Sequence, residues 1–230
     1  MQNKRVVCRK LNQEISRQGL AIYTWGNVSV KNENSIFIKP SGVPFDELKD
    51  DDISEVRLQD SEHLSGKKPS VDTPIHLEIY RNFANINAVI HTHSHYATAF
   101  AQAKTQIPIL GTTHADYFPN DIPVAEQITL NEQERMETLV GRSIVELLKK
   151  NIKSDAVLPV LIPSHGVVLA MQDETKIIEY AVVLEEVAKL AAHTLMIKPD
   201  VSLLKKDLDI FEYHFNRKHG VNRYYGQTVR

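Results

Sequence analysis

The chain has 230 residues, 42% of them hydrophobic and 24% charged, proportions that fit a globular domain and exclude a disordered chain. A formal net charge of −2 leaves no basic stripe for nucleic acid, and no run approaches the ~18 apolar residues of a membrane span. The single cysteine, Cys8, rules out an internal disulfide and leaves any metal site to histidine and carboxylate.

No repeat or linker divides the sequence, so residues 1–230 are expected to form one domain. The first residues, MQNKRVVCRKLNQE, lack a signal-peptide core, which gives a cytoplasmic expectation. Val7, Leu11 and Ile15 stand four apart, predicting a helix over 5–17 that Gly19 caps. Residues 21–30 and 35–39 alternate as two extended runs about the turn KNEN, predicting a hairpin. A candidate strand over 55–58 precedes a loop, SEHLSGKKPSVD.

Thr73-Pro74 reads as N-cap and first helical residue of a helix reaching Phe83, and 86–93 follows as a strand. After Ser94, a natural N-cap, the period turns helical through Lys104. A short strand over 107–110 and a long polar and aromatic loop, GTTHADYFPNDIP, come next. Then follow a helix over 129–150, strands over 157–163 and 167–171, and helices over 174–197 and 202–219.

VIHTHSHYA, residues 89–97, carries the most chemistry. Alternate side chains of a strand share a face, so His91 and His93 can converge on one ion. His95 lies beyond the change of period and leaves that face. The same spacing suits ordinary histidines hydrogen-bonded near a strand end. His165, in the strand-to-strand turn SHG, has Gly166 beside it to admit close backbone approach. Three neutral imidazoles with an open fourth position make a catalytic metal site, although a lone turn histidine is as often structural.

TWGNVS (24–29), IKPSG (38–42), KPSVDTPIH (68–76), HTHSH (91–95), GTTHADYF (111–118), SHG (164–166), VLEEVA (183–188) and RKHG with YYGQ (224–227) occur in this order. Together they resemble the L-ribulose-5-phosphate 4-epimerases of the class II aldolase/adducin family, almost end to end. The resemblance implies a three-layer α/β/α fold around a mainly antiparallel sheet. It implies a homotetramer with active sites between subunits, and Zn2+ held by His91, His93 and His165 with Asp72 beside them. Asp72 stands where related aldolases carry glutamate, which favours the epimerase; as a residue before Thr73-Pro74 it also suits a helix start.

The phosphate positions implied are Gly26, Asn27, Ser41, Gly42 and Ser70, with Val71 where the family usually has a second serine and Lys39 adding charge. Gly166-Val167-Val168 departs from the family's Gly-Pro-Phe after the third histidine, and DIPVAE lacks the family's cysteine-containing run. Asp116 and Tyr225, the latter from a neighbouring subunit, match the acid/base pair, and His214 matches a further active-site histidine. The activity implied is conversion of L-ribulose 5-phosphate to D-xylulose 5-phosphate by retro-aldol cleavage between carbons 3 and 4 and recombination, in arabinose or ascorbate breakdown. Two other readings stay open: an aldolase of the same family, and a catalytically silent binding or scaffold domain like the adducin head.

Overall fold

The computed structural model describes residues 3–129, 135–151, 157–200 and 208–220. Seven strands form one sheet: β1 (Asn27–Asn32), β2 (Ser35–Ile38), β3 (Ser54–Arg57), β4 (His63–Ser65), β5 (Ala88–Thr92), β6 (Val157–Ile162) and β7 (Gly166–Met171). Their order is β4-β3-β2-β1-β5-β7-β6, and every neighbouring pair is antiparallel. The helices are α1 (Lys4–Arg17), α2 (Thr73–Asn82), α3 (His95–Gln102), α4 (Thr112–Ala115), α5 (Met136–Asn151), α6 (Ile177–Ile197) and α7 (Leu208–His219).

Strand alternation sorts the core into two layers. Val28, Val30, Ala88, Ile90 and Leu169 pack against α1, α3 and α6 on one face. Val89, Val168, Ala170, Leu158 and Val160 pack against α2 and α5 on the other. With both faces covered, β5 and β7 are buried along their whole length. The result is the mixed α/β architecture with a central antiparallel sheet that the resemblance implies.

The chain departs from the sequence pattern in several places, two of them with a clear physical cause. The extended run expected from Ala21 begins only at Asn27, because Tyr23 (φ 55°) and Gly26 (φ 82°) take left-handed backbone and Trp25 N–H closes a turn on the Ile22 carbonyl at 3.0 Å. β1 is then seated by Asn12 of α1, whose side chain accepts from Val28 N–H (2.7 Å) and donates to the Val28 carbonyl (2.9 Å). The loop expected over 61–72 contains β4, a three-residue edge strand with mostly exposed side chains and so no hydrophobic pattern to announce it. The strand expected over 107–110 reduces to a single bridge between Ile107 and Ile122, and the long loop after it contains α4. Of the helix expected over 129–150, the described part is α5 from Met136; residues 130–134 lie outside the described residues. Residues 202–207 of the last predicted helix and the 221–230 tail also lie outside it.

Candidate metal centre

His91 is fixed by its place in the sheet. It pairs with Asn27 of β1 on one side and Val168 of β7 on the other, and it is 1% exposed. Its Nδ1 lies 3.0 Å from the Val167 carbonyl, which can only accept, so Nδ1 carries a proton and Nε2 is a bare lone pair. Burial drives its pKa down to about 4, keeping the ring neutral. His93 follows β5 by one residue, and its Nε2 is 3.1 Å from that of His91. Burial lowers the His93 pKa as well, with the His165 imidazole adding to the shift.

His165 arrives from the β6–β7 turn. Ser164 takes left-handed backbone there (φ 59°), and the His165 ring lies parallel to that of His91, 4.9 Å between centroids. The His93 ring stands edge-on to both, at 4.8 and 4.7 Å. Two glycines admit this convergence. A Cβ on Gly166 would fall 2.5 Å from the Thr92 carbonyl oxygen, and one on Gly26 would fall 2.8 Å from the His91 carbonyl oxygen. The ligand nitrogens of His91, His93 and His165 all lie within 4.8 Å of one another. Nitrogens at ~2.0–2.1 Å from a tetrahedral zinc stand about 3.3 Å apart, so the group is of the right size for a divalent cation. His95 is the exposed first residue of α3 and takes no part.

Asp72 occupies the N-cap position of α2, yet its side chain makes no capping bond. Its Oδ2 instead accepts from Asn27 Nδ2 at 2.8 Å and from Ser70 Oγ at 3.4 Å. Burial pushes this carboxyl up, but the imidazoles of His91, His76 and His165, with the Asn27 amide, outweigh it and hold the group below the usual carboxylate range.

His76 carries no signal of function in its own motif, yet it is wholly buried behind Asp72. Tyr80 donates its only hydroxyl proton to the Ser29 carbonyl at 3.0 Å, so the 2.9 Å contact between the two hydroxyls is donated by Ser29. Ser29 Oγ then has only lone pairs for His76 Nδ1 at 2.7 Å, and Nδ1 must carry the proton. Nε2 is left as a buried acceptor without a partner among the described residues, and Asn27 Oδ1 is another. Burial holds the ring neutral, with a pKa of about 3. Bare acceptors around a carboxylate and three imidazoles fit a cation. The available sequence signal was spacing: Asp72 and His76 stand one helical turn apart on α2.

Lys39, just beyond β2, is 1% exposed, and no carboxylate pairs with it among the described residues. Its ammonium lies 3.4 Å from the Thr24 carbonyl, 3.3 Å from the Pro40 carbonyl and 4.7 Å above the Phe45 ring. Burial lowers its pKa to about 8. The segment with Ser41 and Gly42 runs beside residues 68–70, since Ser41 N–H bonds the Lys68 carbonyl (2.9 Å) and Ser70 N–H the Lys39 carbonyl (3.1 Å). Those two amides are therefore spent within the chain. Ser70 Oγ also accepts from Asn27 Nδ2 at 3.0 Å, while Val71 is exposed.

Asp116, the C-terminal cap of α4, meets α7 and not the three imidazoles. His214 Nδ1 donates to its Oδ1 at 3.1 Å, Arg217 reaches both carboxylate oxygens at 3.3 Å, and His219 Nε2 donates to its main-chain carbonyl at 2.8 Å. Arg217 opens the RKHG motif, but nothing in the sequence assigned it a role of its own. Tyr225 lies outside the described residues.

Fold and site together define an α/β protein with a three-histidine group, of a size to hold a metal ion, at one end of its central strands. The chain belongs to the class II aldolase and adducin N-terminal domain family, whose model matches residues 7–192. It is similar in structure to an L-fuculose 1-phosphate aldolase, with a TM-score of 0.78 and 22% identity over 94% of this chain and 97% of that one. YgbL from Escherichia coli has a TM-score of 0.71 and 23% identity, covering 90% of this chain and 97% of that one. The L-fuculose-1-phosphate aldolase of Thermus thermophilus has a TM-score of 0.66 and 22% identity, covering 84% and 95%. No helix of the described residues is long and apolar enough to cross a membrane.

Proposed function

We propose that this chain is a zinc-dependent L-ribulose-5-phosphate 4-epimerase, a single domain that works in the cytoplasm as a homotetramer with active sites between subunits. The observation that carries the reading is the meeting of His91, His93 and His165 within 4.8 Å, beside an Asp72 carboxylate held by Asn27. Three imidazoles and a carboxylate suit zinc, and a divalent cation held there supplies Lewis-acid polarisation of a ketose carbonyl. Asp72 is one methylene shorter than the glutamate of the related aldolases and reaches less far toward substrate, which supports epimerisation over release.

The remaining work falls to this chain's own groups. Lys39, a buried ammonium without a counter-charge among the described residues, together with Ser41, Gly42 and the Ser70 hydroxyl, holds the phosphate. Asn27 acts through Ser70, because both of its amide hydrogens go to Ser70 and Asp72. Opening the bond between carbons 3 and 4 leaves an enediolate of dihydroxyacetone and glycolaldehyde phosphate. With its phosphate anchored, the aldehyde stays, turns its other face, and recombines to D-xylulose 5-phosphate. One base takes the hydroxyl proton of carbon 4 and an acid on the opposite face returns one. Asp116, oriented by His214, serves on one side, and Tyr225 of a neighbouring subunit on the other. Exposed Ile22, Tyr23 and Trp25, with the indole 6.4 Å from the His93 ring, support a subunit contact at this rim.

Incubation with L-ribulose 5-phosphate, with and without chelator, tests the reading. D-Xylulose 5-phosphate should form only with metal-loaded protein. Free glycolaldehyde phosphate in its place would make the chain an aldolase, and no turnover by zinc-loaded protein would refute both.

A further inference from the structure

The helix after His93 is capped from outside. Ser94 occupies the N-cap position of α3 but makes no capping bond; its hydroxyl accepts from Thr92 Oγ1 at 3.4 Å. The orphan amides of the first turn go instead to Glu185 of α6. Tyr96 N–H donates to one oxygen of that carboxylate at 2.7 Å and Ala97 N–H to the other at 3.0 Å. No cation pairs with Glu185 among the described residues, so the positive end of the helix is its charge partner. Glu185 is itself rigidly based, since Leu184 and Val187 are buried against the sheet.

The other end of α3 holds the turn that carries His165. Ser164 N–H donates to the Ala101 carbonyl at 2.9 Å. α3 has eight residues, too few to be stable alone, and depends on what grips it. Of the three imidazoles, only His91 is locked by strand pairing on both sides. His93 lies between the end of β5 and the clamped turn of α3, and His165 hangs on the turn bonded to the far end of the same helix.

We propose that Glu185 is a positioning residue for the metal centre, setting His93 and His165 relative to His91 through α3. The inference rests on the reading that the three imidazoles hold a divalent cation. Both charge-assisted bonds disappear in Glu185→Ala, and Glu185→Gln keeps one acceptor.

The test uses the full chain, stripped of metal and titrated with zinc against a chromophoric chelator, and with cobalt(II) for its visible spectrum. Glu185→Ala should bind zinc at least about tenfold more weakly, as loss of partners that orient ligands does, and should alter the cobalt(II) bands. Glu185→Gln should fall between it and the parent chain. Ile144→Val, in the opposite layer, should lower the apo melting temperature without moving either readout. If Glu185→Ala does not fold, Glu185→Gln carries the test, with a loss of about threefold or more expected. Zinc affinity within twofold of the parent and an unchanged cobalt(II) spectrum, whatever the fall in melting temperature, overturn the inference. Failure of the parent chain to bind metal would instead remove the metal reading on which it stands.

Discussion

Gly166→Ala probes the geometry of the site with one added methyl group. The new Cβ would sit 2.5 Å from the Thr92 carbonyl oxygen and 3.2 Å from His91 Cε1. Ordinary contact begins at 3.4 Å, so β7 and the end of β5 must part by about 0.9 Å (3.4 less 2.5). The Thr92 atom is backbone inside the sheet and cannot swing aside, and such overpacking costs about 1–3 kcal/mol. Metal sites tolerate about 0.2 Å in ligand distance. His165 precedes the substituted residue and Thr92 separates His91 from His93, so the displacement falls between the ligands themselves. Zinc affinity should drop roughly 10–100-fold, the range for lost orienting contacts, while the chain still folds. Competition titration with a chromophoric chelator measures the first and thermal melting of the apo form the second. A Gly166→Ala chain that binds zinc within twofold of the parent would refute the close-approach argument.

Burial holds Lys39 down at about 8 from its usual 10.5, so the anion-free chain carries that charge below pH 8 and loses it above. A phosphate ester is already dianionic there, and its affinity by calorimetry should fall up to about tenfold per pH unit above 8; a flat profile would remove Lys39 from the phosphate site. Since the unfolded chain keeps this proton to about 10.4, it binds more protons than the native chain across that window, and stability rises with pH there. Asp72→Asn keeps an acceptor for Asn27 but removes the charge, so zinc affinity should fall about tenfold with little change in melting temperature; unchanged affinity would place the carboxylate outside the metal's reach. His214→Asn should lower turnover about 10²–10⁴-fold with zinc content unchanged, and full activity would deny the Asp116–His214 pair a part in proton transfer.

How much of this was legible depended on sequence distance. His91 and His93 could be read together because strand period is local, and the period change at Ser94 rightly separated His95. His165 offered only a neighbouring glycine; what brings it to His91 is the pairing of β5 with β7, seventy-odd residues apart. The same limit hid Glu185, whose partners lie 88 and 89 residues earlier. Residues 21–26 misled for another reason: the run is rich in apolar and aromatic residues, but left-handed Tyr23 and Gly26 turn Ile22, Tyr23 and Trp25 outward instead of into a sheet face. Asp72 supported both a helix start and a site carboxylate, and only the side-chain bond to Asn27 separates them.

The chemistry collects at one end of the sheet, and backbone geometry explains why. Asn27 opens β1, Thr92 closes β5, Gly166 opens β7 and Ile38 closes β2, and antiparallel pairing brings these four ends together. Where strands leave the ladder, the chain must turn sharply, and left-handed residues gather there: Gly26 (φ 82°), Gly42 (φ 69°) and Ser164 (φ 59°). Two of them are glycines at no steric cost, but Ser164 carries strain that the Ser164 N–H bond to Ala101 holds in place. Side chains freed from the ladder at this end can converge, as His93 and His165 do, while His91 stays locked within it as the fixed reference. A rigid sheet thus supplies one immobile imidazole, and two short turns bring the other two to it.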